Sequence, residues 1–195
     1  FLEFMNDCLE FYKDDAAVGA VTGYSPLSAL PEGYNEDVFL VSRNSSQGWG
    51  TWSRVWDGVD WSASGIDQLE RDYGLRRVFN REGNDRYDRL RRQLAGRIDS
   101  WSIRFGLSLF LRGMGTLYPA VNRIANTGYD GSGIHSGIGT PMNEHVAESP
   151  YTLHPVQVDP RLQRAFRRVY AGRPAGYVLR EALAWSPRLA GWLGR

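Results

Sequence analysis

Two short apolar runs, AAVGAVTGY and DVFLVSR, stand between segments whose apolar residues recur at helical spacing. They are separated by the loop SPLSALPEG, whose prolines and glycine break any regular element. Ahead of them, residues 1–13 put Leu2, Met5, Leu9 and Tyr12 on one helical face, with Phe1, Phe4, Cys8 and Phe11 beside it. Helical spacing returns over 85–95, over 100–112, at 161–170 and around 175–185, and GTLYP reads as a short strand closed by Pro119. Strands interleaved with helices predict an α/β layered domain. The chain of 195 residues is long enough for one such domain, and no internal repeat divides it.

Charge narrows the partners. A net charge of +1 gives no general case for nucleic acid, but positions 160–195 hold eight arginines against one acid, Glu181. That stretch reads either as a solvated helical face or as a surface for an anionic membrane or acidic partner, with Trp185 and Trp192 among its arginines. Cys8 is the only cysteine, which rules out an internal disulfide and a thiolate zinc site and favours a reducing compartment. No apolar run reaches the roughly 18 residues of a membrane-spanning helix.

Three stretches carry residue types suited to chemistry. In QGWGTWSRVW, glycines flank Trp49, an arrangement that would let a ligand approach backbone and indole closely. The same indoles also suit core packing, and Trp52 and Trp56, one helical turn apart, read as anchors to the interior. In GRIDSW, Asp99 stands at the start of an amphipathic helix, as an N-cap or as a general base with Trp101 for an apolar wall. In YDGSGIHS, Gly131 and Gly133, with Gly128 just ahead of them, offer backbone N–H groups to an anion, and His135 is either a metal or phosphate ligand or a solvated loop residue. No P-loop, GxGxxG, GxSxG or HExxH pattern is present.

Taken in order, FLEFMNDCLEFYKDDAAVGAVTGY, GWGTW, GRIDSWSIRF and GTLYPAVNRIANTGYDGSGIHS resemble the second half of bacterial sugar transferases of glycosyltransferase family 2, over residues 1 to about 140. The resemblance implies a GT-A fold, a mixed sheet flanked by helices, here over residues 1–150, with a basic helical extension over 151–195. It implies inverting transfer of a sugar from a nucleotide-sugar donor to a glycan or lipid-linked acceptor. Gly48, Trp49 and Gly50 would then belong to the donor or acceptor site, with Trp52 and Trp101 as further substrate-binding candidates. Asp99 would be the catalytic base, although Ile98 stands where the family often has a second acid. His135 would complete the site of a divalent cation, Mg or Mn. The family's acidic DxD motif is missing from these residues, so the expectation is a chain lacking the nucleotide-binding half. The setting expected is cytoplasmic, with peripheral membrane contact through 160–195. A non-catalytic carbohydrate-binding module, with Trp49 and Trp52 as stacking platforms, is the competing reading.

Overall fold

The computed structural model describes residues 1–125 and 145–171. The first helix, α1 (Leu2–Phe11), turns Phe4, Met5 and Cys8 inward. The two apolar runs form β1 (Val18–Thr22) and β2 (Val38–Val41). The tryptophan stretch then contributes a two-residue strand, β3 (Trp49–Gly50), and a single helical turn, α2 (Ser53–Trp56). Two further short helices, α3 (Ile66–Arg71) and α4 (Tyr73–Phe79), precede the longer α5 (Arg86–Leu94) and α6 (Trp101–Leu111). Strand β4 (Gly115–Pro119) and helix α7 (Pro160–Tyr170) complete the described elements.

The sheet has the order β2-β4-β1-β3. β1 runs parallel to β4, whereas β2 lies antiparallel on β4 and β3 antiparallel on β1. Every residue of β1, β2 and β4 is buried, the expected state of strands covered on both faces. Side-chain alternation along β2 sorts the two faces. Val38 and Leu40 join Val21, Leu117 and the inner face of α1, while Phe39 and Val41 join Tyr118 and the inner face of α7. At the β1 end of that second face, Ala20 meets Phe105 and Leu109 of α6. A Cβ on Gly19 would lie 2.6 Å from Leu109 Cδ2, so glycine is what lets α6 settle onto β1. The result is a helix–sheet–helix sandwich with a mixed sheet, an α/β domain as the sequence predicts.

Residue 150 is not a break in this packing. α7 buries Leu162 and Phe166 against Phe39 and Tyr118, and Val158 bridges to Leu40. The part of the expected extension that can be described is therefore built into the domain, with Arg164, Arg167 and Arg168 on its exposed side. Residues 172–195, including Trp185 and Trp192, lie outside the described residues. Among those described, no helix is long and apolar enough to cross a membrane.

A knot of buried polar groups ties β2 to the helices. Glu82, in the α4–α5 turn, accepts from the Ser42 and Arg43 amides, the Ser42 hydroxyl and the Gln163 side chain of α7. Arg43 holds Asp85 through two bonds of 2.7 and 2.9 Å and lies 3.5 Å from the centre of the Tyr170 ring. Arg86 donates to the Ser42 and Phe79 carbonyls, and burial pushes its guanidinium down to about 10, still well above neutral.

Candidate functional site

Edge strand β3 is where the QGWG motif acquires a role. Its residues Gly50 and Trp49 pair with Val21 and Thr22, and the Gly23 amide and Thr22 hydroxyl donate to the carbonyls of Gly48 and Gln47. These bonds fix the turn before Trp49 and aim its indole across β1 toward the start of α6.

Four indoles meet there. Trp49 lies 5.0 Å from Trp101, 5.4 Å from Phe105 and 6.1 Å from Trp56, measured between ring centroids. Trp61 closes the group at 4.7 Å from Trp56 and 6.4 Å from Trp101. Trp49 meets its neighbours at tilted angles and Trp56 meets Trp61 edge-on, all within the centroid spacing of about 4.5–7 Å at which aromatic rings attract. Beneath them Ala20, Val55, Phe105 and Leu109 form a buried floor. Trp49, Trp61 and Trp101 are half-buried, while Trp56 is 41% exposed. The GWG and IDSW motifs, far apart in sequence, thus share one surface.

Several expectations are revised. Trp56, expected to anchor the loop inside, is instead the most exposed indole of the group. Trp52 serves as an anchor: its Nε1 donates to the Leu9 carbonyl at 3.0 Å, and its ring packs both on the α1 core and on the floor beneath the indoles. Gly48 has φ +50°, and a Cβ there would lie 2.9 Å from Ile124 Cδ1 and 3.0 Å from Phe1. A Cβ on Gly50 would meet Met5 at 3.2 Å. At both glycines the space that a side chain would take is occupied by the protein's own side chains. Trp61 carries no signal in the sequence, because no helical period connects it to Trp56 across the intervening turn.

Asp99 is exposed and precedes Ser100, the N-cap of α6, so it is not the cap itself. The Ser100 amide donates to Gln93 Oε1, which fixes the end of the α5–α6 connection. Trp101 turns onto Trp49 and Phe105 and does not enclose the Asp99 carboxylate. A second acid, Asp60, sits between Trp56 and Trp61 in sequence and accepts from the Ser62 amide and hydroxyl and the Ser64 hydroxyl. Those hydroxyls, Ser62 first, hold its carboxyl down at about 2.

His135 and the glycines of YDGSGIHS lie outside the described residues. Among the described ones, no three His, Cys, Asp or Glu side chains converge to hold a metal. No family model matches the chain, and no curated protein or solved structure matches it either.

Proposed function

We propose that the indole face is a glycan site and that the protein is an inverting glycosyltransferase, taking a sugar from a nucleotide-sugar donor to a glycan or lipid-linked acceptor. The observation that supports this is the meeting of Trp49 and Trp101 at 5.0 Å, which brings the motif of the expected substrate loop to the motif carrying the expected base. Sugar rings present C–H faces that lie well on indole, and Trp56 and Trp61 offer the accessible part of that surface. In this reading Asp99 takes the proton of an acceptor hydroxyl as its oxygen attacks the anomeric carbon. The new C–O bond forms opposite the bond to the nucleoside diphosphate, that bond breaks, and the diphosphate leaves with its electron pair. A positioned base of this kind contributes about 10²–10⁴-fold. A cytoplasmic, membrane-peripheral setting belongs to the same proposal.

The exposure of Trp56 also suits a module that binds glycans without reacting. One experiment separates the readings: diphosphate release from a panel of UDP-, GDP- and dTDP-hexoses by the full-length protein, beside calorimetry with oligosaccharides. The transferase predicts that Asp99→Asn loses at least about 10²-fold in turnover while oligosaccharide binding stays, and that Trp56→Ala loses binding. Undiminished turnover in Asp99→Asn removes Asp99 as the base. Glycan binding without turnover of any donor leaves the module.

A further inference from the structure

The polar knot between β2 and α5 holds more positive charge than negative. Arg43 and Arg86 are 5% and 1% exposed, and Arg89, one turn further along α5, has its side chain 41% exposed. Two carboxylates pair with these guanidiniums. Glu82 lies 3.9 Å from Arg86, and Asp85 lies 2.7 Å from Arg43 and 3.9 Å from Arg89. Three guanidiniums against two carboxylates leave one positive charge over. Burial and the neighbouring charge of Arg43 hold the Arg89 guanidinium below its usual value, as such a surplus requires.

Between these groups is a small cavity of about 20 Å³, lined by Arg43, Asn44, Arg86, Arg89, Ser102 and Ile103. A single water needs about 10–15 Å³, so the cavity suits one occupant of water or halide size. Neither Glu82 nor Asp85 lines it. Charge separates the two occupants: a water leaves the surplus in place, whereas an anion removes it. We propose that the cavity binds one small monovalent anion, the size of chloride, between Arg86 and Arg89. Of the five N–H groups of Arg86, three donate to Ser42 and Phe79, and the other two have no acceptor among the described residues. The half-exposed Arg89 forms the outer wall and gives the ion its way in. Hydrogen bonds to an ionised partner are the strong ones. Around the cavity, Asn44 Nδ2 donates to the Ser102 carbonyl at 3.0 Å and Arg89 Nη2 to the Ser100 hydroxyl at 3.3 Å. The ion therefore ties α5 to the segment after β2 and to the start of α6, beside Trp101. This site does not depend on glycosyl transfer.

The test uses the whole protein, with chloride and bromide as probes. In thermal melts titrated with sodium chloride, with sodium gluconate keeping the ionic strength constant, Tm should rise along a saturation curve, because an ion bound only to the folded state stabilises it. Crystals in sodium bromide should show an anomalous peak in the cavity. Arg89→Gln removes the accessible guanidinium and should weaken chloride at least about tenfold, the loss of one charge-assisted bond. Arg92→Gln, at an exposed position of α5 outside the cavity, should leave chloride binding unchanged. A water in the cavity with no bromide signal, a Tm indifferent to chloride, or equal weakening in the two variants overturns the proposal. A bromide peak without the saturable chloride effect is binding at crystal concentration only, and overturns it as well.

Discussion

Glu82→Gln should cost far more than the change of one atom suggests. Glu82 is fully buried and faces donors only: Oε1 receives the Ser42 amide and Gln163 Nε2, both at 3.0 Å, and Oε2 receives the Ser42 hydroxyl at 2.8 Å and the Arg43 amide at 2.5 Å. A glutamine must turn its NH₂ toward one of these pairs. The Ser42 hydroxyl can rotate and the Gln163 amide can flip, but the backbone N–H groups cannot reverse. Either orientation therefore leaves one buried N–H facing another donor, at about 1–3 kcal/mol. The charge opposite Arg86, 3.9 Å away and itself 1% exposed, is lost as well. Breaking a buried pair from one side costs about 3–5 kcal/mol in all, or roughly 10 °C in Tm for a domain of this size. Urea denaturation followed by circular dichroism measures it. The same scheme requires Glu82→Gln/Arg86→Met to be less damaging than the sum of its single variants, by about 1 kcal/mol or more. A loss below about 1 kcal/mol for Glu82→Gln, or strict additivity in the double variant, would refute the argument.

Three further outcomes can be checked. Cys8 is fully buried, and burial with Asp7 nearby pushes its thiol up to about 12, so a thiol reagent at neutral pH should label it only at the rate of unfolding. Burial would raise the Asp85 carboxyl, yet the two bonds from Arg43 hold it below its usual value, so the native state binds its proton later than the unfolded chain does. Its contribution is complete above about pH 4 and fades as the pH falls through the depressed value, and Asp85→Asn should flatten the stability profile in that acid window. Gly48→Ala places a side chain at φ +50° against Ile124 and should destabilise by about 1–3 kcal/mol in a thermal melt.

The layered fold was legible because its elements bury the faces their sequences advertise. The spacing over 85–95 and 100–112 predicts helices, found at Arg86–Leu94 and Trp101–Leu111, and Pro119 does end β4. The helices α3 and α4 were not legible, since each runs for fewer than eight residues and gains its stability from the cluster around Leu69, Phe79 and Leu90. The Glu82–Arg43–Asp85–Arg86 knot was hidden for another reason. EGNDR has no apolar residue whose spacing could mark it as interior, and only tertiary contact with Ser42 and α7 buries its charged groups. Tryptophan spacing misled in the same way: Trp52 and Trp56 are a helical turn apart, but α2 is a single turn with Trp52 as its cap, so the two rings go to different places.

The carboxylates around the indole face have unequal claims to proton transfer. A base needs a free lone pair directed at the hydroxyl it serves and a proton affinity suited to the working pH. Asp60 fails on both counts. Its two oxygens are already committed to Ser62 and Ser64, and those bonds keep the carboxyl ionised down to about pH 2, which makes it a poor proton acceptor. What Asp60 does instead is fold the turn after α2 so that Trp61 comes within 4.7 Å of Trp56. Asp99 is placed differently: its carboxylate is exposed and receives no hydrogen bond from a described residue, at the end of the helix whose first residue is Trp101. The structural acid and the available acid thus flank the same aromatic surface, and substituting each should fail in its own way. Loss of Asp60 loosens the platform, whereas loss of Asp99 leaves the platform standing and removes only a group able to accept a proton.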